Sequence, residues 1–125
     1  MNVLGLAHVN LTCPAEREDA VLAFYRDVLG LTQIAKTTGR RQAGGWFDLF
    51  GVELHVSVDP VSIAEQRANP RHIALFVSDL TALEARLTAA GADLLEDPRP
   101  PATGRRRFLV DPAGNRLELI ERTAQ

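Results

Sequence analysis

The sequence has only one cysteine, Cys13, so one chain can form neither an internal disulfide nor a zinc site of several thiolates. A single free thiol is typical of the reducing cytoplasm, and we expect a cytoplasmic protein. Any metal ion must then be bound by histidine and carboxylate side chains.

The chain also lacks any run of about 20 apolar residues, the length that spans a bilayer. Its N-terminus has none of the three parts of a secretory signal, which are a basic region, an apolar stretch and a small-residue cleavage site. The net charge of −2 gives no electrostatic reason to expect nucleic acid or an anionic membrane as a partner. We therefore expect neither partner.

What the chain does contain is a repeat. HVNL at residues 8–11 recurs as HIAL at 72–75, and GVELHV at 51–56 recurs as GNRLEL at 114–119. Internal repeats constrain architecture strongly. Half a chain, about 60 residues, is marginal alone, so the halves should pair with each other or across a dimer. We predict one domain of two modules, residues 1–59 and 71–122, joined by a linker at 60–70.

Both modules show the same predicted order of elements: strand, helix, strand, strand, strand. In the first module, alternating apolar residues predict strands at 3–12, 31–36, 46–50 and 52–58, and helical spacing predicts a helix at 16–29. In the second, we predict strands at 72–77, 92–96, 105–110 and 115–121, and a helix that begins after Asp79 and ends at Gly91. This order predicts an α+β fold, with two βαβββ modules forming a cupped, mostly antiparallel sheet and helices on its outer face.

All three histidines fall at positions that the repeat relates. Overlaying the modules places His8 on His72 and His55 on Glu118. Because strand side chains alternate between faces, each of the four lies on the less aliphatic face, which a helix would leave open. Taken singly, each could be an ordinary half-buried strand residue. Together they predict that His8, His55, His72 and Glu118 bind one divalent metal ion (zinc, nickel, iron, cobalt or manganese), with Glu118 as a ligand or a base.

Three consecutive arginines at 105–107 lie on a predicted strand and allow two interpretations. Alternate members could bind an anionic substrate through bidentate hydrogen bonds. Alternatively, they are solvated residues of an edge strand, where charge prevents mispairing. We favour the second interpretation.

Several longer motifs resemble the vicinal oxygen chelate superfamily, which includes glyoxalase I, bleomycin-resistance proteins and extradiol dioxygenases. They are AHV at 7–9, AFYRDVLGL at 23–31, HIAL at 72–75 and DPAGNRLE at 111–118. The resemblance covers nearly the whole chain and is diagnostic of the superfamily rather than of one reaction. It implies paired βαβββ modules, a divalent metal in a cupped site and, often, a homodimer, sometimes with modules swapped between subunits.

The resemblance also carries over to individual residues. His8, His72 and Glu118 match the metal positions shared by the glyoxalase, dioxygenase and fosfomycin-resistance branches. Position 55 matches a fourth, more variable site, where glyoxalase I and its close relatives favour Glu or Gln, so His55 departs from that pattern. The bleomycin-binding branch generally lacks the ligand set that is present here.

The resemblance therefore implies a glyoxalase-like metal-dependent enzyme, of lyase or isomerase type, acting on a small molecule chelated through adjacent oxygens. It would stabilise an enediolate or similar oxyanion, with Glu118 moving protons. One alternative is an iron(II)-dependent dioxygenase that uses His8, His72 and Glu118. Another is a non-catalytic small-molecule binding or antibiotic-resistance protein.

Overall fold

The computed structural model describes residues 2–37, 42–97 and 105–122 of the chain. It divides the chain into two compact units, Met1–Val61 and Ser62–Gln125, and each unit contains one four-stranded mixed sheet. The predicted α+β fold of two βαβββ modules is confirmed. The predicted linker at 60–70 contains the boundary between the units.

Unit 1 has its sheet in the order β1-β4-β3-β2, with β1 and β4 parallel and the other neighbours antiparallel. Its strands are β1 (His8–Cys13), β2 (Gln33–Ile34), β3 (Gly45–Leu49) and β4 (Val52–Val58). Its helical region consists of a 3₁₀ turn (Ala15–Arg17), helix α1 (Glu18–Ala23) and a π-helical turn (Phe24–Val28).

Unit 2 repeats this plan in the order β5-β8-β7-β6, again with only the first pair parallel. Its strands are β5 (His72–Val77), β6 (Asp93–Leu95), β7 (Arg106–Val110) and β8 (Arg116–Glu121). Its helices are α2 (Ile63–Ala68), inside the predicted linker, and α3 (Leu80–Ala89). The Asp79 side chain caps α3 by accepting a hydrogen bond from the Ala82 amide at 3.0 Å, as predicted.

Each sheet buries one face. In unit 1 the Tyr25 ring lies 5.9 Å from the Phe47 ring, and both side chains are fully buried together with Leu54. In unit 2 the buried residues include Leu80 and Leu87 of α3 and Leu109, Leu117 and Leu119 of the sheet. Since strand side chains alternate, the opposite face of each sheet carries the polar residues of the candidate site.

The predicted start of the first strand is wrong. The strand begins at His8 rather than at residue 3, and Val3, Leu4 and Leu6 are exposed. The physical reason is the length of its partner: Glu53 donates a backbone hydrogen bond to the Ala7 carbonyl, and β4 begins just before it, at Val52. Residues before position 7 therefore have no strand beside them to complete a ladder.

The region predicted as a helix at 16–29 is helical, but it passes from a 3₁₀ turn to an α-helix and then to a π-helical turn. Its last turn is π-helical, with the Leu29 amide bonded to the Phe24 carbonyl at 3.0 Å. The wider turn allows two consecutive aromatic residues, Phe24 and Tyr25, to be buried. Hydrophobic spacing alone does not distinguish this winding from a regular α-helix.

The turn between β7 and β8 sets where the last strand begins. The buried Asp111 carboxylate accepts hydrogen bonds from the Ala113 amide at 2.8 Å and the Asn115 amide at 2.9 Å. Gly114 has φ of +87°, and a Cβ there would lie 2.5 Å from the Ile63 carbonyl of α2. The predicted hairpin is confirmed, and its glycine is required by both backbone angle and space.

Across the described ranges, no helix is both long enough and apolar enough to cross a membrane.

Candidate metal centre

The first pair of candidate ligands lies on the open face of unit 1. The His8 and His55 rings stack with centroids 4.1 Å apart and planes 15° apart. On the other side of His55, the Trp46 ring lies 3.9 Å away at 3°. His55 stands opposite Trp46 on β3, and His8 lies on β1, so three strands contribute one ring each to a continuous stack.

One nitrogen of His55 already has a partner. Its Nε2 lies 2.9 Å from Oε1 of Glu53, which shares its face of β4. A carboxylate can only accept in this bond, so Nε2 carries the proton and the lone pair is on Nδ1. Glu53 was not among the predicted site residues. Its position two residues before His55, on the same strand face, was the available signal.

The second pair lies on the open face of unit 2. His72 Nδ1 lies 3.0 Å from the Pro70 carbonyl oxygen, which can only accept, so Nδ1 carries the proton. The lone pair of the neutral ring is therefore on Nε2, which faces Oε1 of Glu118 at 3.2 Å. Two acceptors in contact repel unless a cation, either a proton or a metal ion, lies between them. The His72–Glu118 pair thus fits a divalent cation.

The surroundings of this second pair also suit a binding site. Glu118 is 13% exposed in its side chain, whereas His72 is 35% exposed, so the pair is reachable from solvent mainly on the histidine side. Phe108 approaches His72 edge-on, with centroids 5.3 Å apart. Ala74, with its small side chain, stands directly beside Glu118 on β5.

The structure brings the four predicted ligands together as two pairs, His8 with His55 and His72 with Glu118. Within residues 2–37, 42–97 and 105–122, no three or more His, Cys, Asp or Glu side chains form a group that could hold a metal ion. Binding of one ion by all four residues stays a prediction.

The arginine run at 105–107 is held by acids of its own unit. Arg105 bonds Glu84 at 3.0 Å, Arg107 lies 3.7 Å from the same carboxylate, and Arg106 bonds Asp97 at 2.9 Å. β7 lies between β6 and β8, but β6 pairs only with its last three residues. Among the described residues, Arg106 and Arg107 therefore pair with β8 alone, and that stretch of β7 is an edge, as the second interpretation expects. These arginines serve to connect β7 with its neighbouring segments.

Comparison with known proteins agrees with this fold. The family model of the glyoxalase-like domain matches residues 9–120. A glyoxalase family protein from Bacillus anthracis is 27% identical, with a TM-score of 0.77 and 98% of each chain covered. No curated protein sequence matches this chain.

Two further solved structures share the fold at lower identity. One is a mutant of FosX, a fosfomycin resistance protein from Listeria monocytogenes, in complex with Mn(II) and 1S,2S-dihydroxypropylphosphonic acid; it is 20% identical, with a TM-score of 0.81 and coverage of 98% of this chain and 95% of that one. The other is TnmS3, an antibiotic binding protein from Streptomyces sp. CB03234, at 18% identity, with a TM-score of 0.71 and coverage of 98% and 99%. Two βαβββ modules, the repeated histidine position and a family model spanning nearly the whole sequence lead to one assignment: the chain belongs to the glyoxalase-like domain family of the vicinal oxygen chelate superfamily.

Proposed function

We propose that this protein is a metal-dependent enzyme that acts on a small molecule bound through two adjacent oxygens. The observation that carries the proposal is the His72–Glu118 pair, in which an imidazole lone pair and a carboxylate oxygen face each other at 3.2 Å. The Mn(II) bound by FosX, which shares the fold, supports a divalent metal ion here without identifying it.

Three of the four predicted ligands carry the proposal: His8, His72 and Glu118. His72 is oriented by the Pro70 carbonyl, an arrangement typical of metal-binding histidines, whose second nitrogen usually donates to a carbonyl or carboxylate. Neither ring nitrogen of His8 has a hydrogen-bond partner in the described part of the chain. Its lone pair is therefore available.

A divalent metal ion at these residues would polarise a substrate oxygen and stabilise negative charge that develops on it, as in enediolate formation. The other chemistry belongs to the protein. Glu118 is largely buried and can take a proton from the substrate and return it at a neighbouring atom. Phe108 and Ile120, on the same sheet face as Glu118, provide apolar walls that limit water.

We also propose that the protein is a cytoplasmic homodimer. The superfamily resemblance implies the homodimer. The single cysteine, Cys13, is fully buried and forms no disulfide, which suits a reducing compartment. A sedimentation measurement on purified protein would test the dimer.

Elemental analysis of protein purified without added metal tests the proposed function first. We expect nickel, zinc, cobalt or manganese, near one ion per chain. A panel of α-ketoaldehyde–thiol adducts, catechols and epoxide antibiotics should then reveal turnover that a chelator abolishes. Protein that neither contains nor takes up any of these metals would contradict the proposal.

The same measurements separate two alternative functions. Iron together with oxygen consumption on catechols would indicate an iron(II)-dependent dioxygenase. Ligand binding that needs no metal, and that persists in the His8→Ala and His72→Ala variants, would indicate a binding or resistance protein. The likeness in fold to the antibiotic binding protein TnmS3 is the observation that keeps this second alternative in the test.

A further inference from the structure

The geometry of the stacked rings in unit 1 bears on which histidine can bind metal. A metal ion bound to an imidazole lies in the ring plane, about 2.0–2.1 Å from the nitrogen. The His8 and His55 planes are nearly parallel, 15° apart, with centroids 4.1 Å apart. Lone pairs in two such planes run side by side and converge only far beyond coordination distance. While the stack persists, one ion cannot be bound by both rings.

The hydrogen bonds decide which of the two is the ligand. The Nε2 proton of His55 is held by Glu53 at 2.9 Å, and both faces of the His55 ring are covered, by His8 and by Trp46. Its side chain is only 12% exposed. His8 has one covered face and no hydrogen-bond partner among the described residues. His8 is therefore the ring that is free to coordinate.

We propose that His55 is a positioning residue rather than a metal ligand: its ring is a platform that holds the His8 ring in a fixed plane. Trp46 supports the platform from behind, and the Glu53 carboxylate prevents the His55 ring from turning. This inference rests on the proposed metal centre. It leaves His8, His72 and Glu118 as the residues that would hold the ion.

A rival arrangement makes the opposite prediction. Metal-binding histidines often donate their second N–H to a carboxylate, so Glu53 could instead support His55 as a ligand through Nδ1. In that case the His55 nitrogens matter, whereas in the platform only the flat ring matters. Replacing the ring by another aromatic ring separates the two.

The experiment measures Co²⁺ affinity by competition with a chelator, and the visible Co²⁺ spectrum, for four variants of the full chain. We expect His55→Phe to bind within about twofold of wild type, with an unchanged spectrum, and His55→Ala to bind about fivefold more weakly, because an aromatic pair contributes about 1 kcal/mol. At position 8, where the nitrogen itself is needed, His8→Phe and His8→Ala should each weaken binding at least about 100-fold, the upper end of what even indirect supporting residues contribute.

The inference is overturned if His55→Phe weakens binding as much as His55→Ala, or if its spectrum gains the intensity that accompanies loss of a ligand. Circular dichroism checks that each variant folds, and His55→Tyr replaces His55→Phe if the latter does not. Wild-type protein that binds no Co²⁺ would contradict the metal centre itself. Wild-type binding together with a damaged His55→Phe variant would contradict only the platform.

Discussion

The two units place a histidine at the same position and hold it in different ways. His8 begins β1 and His72 begins β5, each on an outer strand beside a parallel neighbour. His72 is held by the Pro70 carbonyl, which accepts the Nδ1 proton, and its Nε2 faces the Glu118 carboxylate. His8 is held by the face of the His55 ring.

This difference follows from a shift of the acidic residue along the last strand of the unit. Opposite the histidine, β4 has Glu53 where β8 has Arg116, and two residues later β4 has His55 where β8 has Glu118. In unit 2 the acid therefore faces an imidazole lone pair, whereas in unit 1 it accepts an N–H. The repeat preserves the backbone positions, and the side chains at these two positions of the last strand decide the chemistry.

The largest expected effect is on stability and comes from truncating a buried core residue in each unit. Comparing the two losses tests whether the units resemble each other in stability as they do in topology. Phe47 and Leu109 occupy equivalent positions, opposite Leu54 and Leu117, and both are fully buried. We expect Phe47→Ala to lower the free energy of unfolding by about 4 kcal/mol and Leu109→Ala by about 3 kcal/mol. Urea denaturation followed by circular dichroism measures both. A loss below about 1 kcal/mol for either variant would contradict the burial on which the equivalence depends.

The next effect separates the two acids. Glu118→Ala removes a proposed ligand and should weaken metal binding at least about 100-fold, whereas Glu53→Ala removes only a support of the His55 ring and should weaken it less than about tenfold. Chelator competition with Co²⁺ or Zn²⁺ measures both. Glu53→Gln is the matched control, because its amide oxygen still accepts the His55 N–H. Equal losses of metal affinity for Glu118→Ala and Glu53→Ala would contradict the comparison, because the two carboxylates would then contribute equally to metal binding.

A smaller effect should distinguish the aromatic residues that flank the histidines. Trp46 stacks on His55 at 3.9 Å, and Phe108 meets His72 edge-on at 5.3 Å. We expect Trp46→Ala to weaken metal binding about fivefold, because His8 is held only through the stack and an aromatic pair contributes about 1 kcal/mol. Phe108→Ala should change binding less than about twofold, because His72 keeps its hydrogen bond to the Pro70 carbonyl. A larger loss from Phe108→Ala than from Trp46→Ala would reverse the comparison.

Much of the fold was predictable from local patterns. The bounds of β4 and β5 were predicted to the residue, because alternating hydrophobicity and flanking glycine or proline mark them clearly. The start of β1 was not predictable, because apolar residues 3–6 continue the pattern and only the length of β4 shows where pairing ends. The π-helical turn also has no periodic signal, since it depends on burying two consecutive aromatic rings.

The sequence nominates candidate site residues, but it does not predict their geometry. The repeat nominated His8, His55, His72 and Glu118, and strand alternation placed each on the open face. The repeat could not show that the His8 and His55 rings stack in parallel or that the Pro70 carbonyl fixes the proton of His72 on Nδ1. Those facts depend on side-chain angles and on which nitrogen finds an acceptor, and strand spacing determines neither. Glu53 could have been nominated, because its position two residues before His55 places both on one strand face.

The smallest expected effect concerns two surface ion pairs, one in each unit, and their response to acid. Arg67 hydrogen-bonds Asp93 at 2.7 Å and lowers the pKa of that carboxyl below its ordinary value; Arg26 likewise lowers the pKa of Asp27. A carboxyl whose pKa is lower in the folded state adds stability above its unfolded pKa, and this is lost as the pH falls below about 4. Arg67 and Asp93 connect α2 to β6, whereas Arg26 and Asp27 are neighbours along the chain and stay close after unfolding.

We therefore expect Asp93→Asn to lower stability slightly at pH 7, and its difference from wild type to shrink as the pH falls from 5 to 3. Asp27→Asn, the matched control, should follow wild type more closely across that range. Urea midpoints measured at several pH values for the three proteins give the answer. The sign is fixed by the direction of the pKa shift, so a difference that grows with acidity would contradict the argument. Identical curves for the two variants would contradict this. They would show that the Arg67–Asp93 pair, which connects two elements of unit 2, stabilises the fold no more than the Arg26–Asp27 pair of chain neighbours in unit 1.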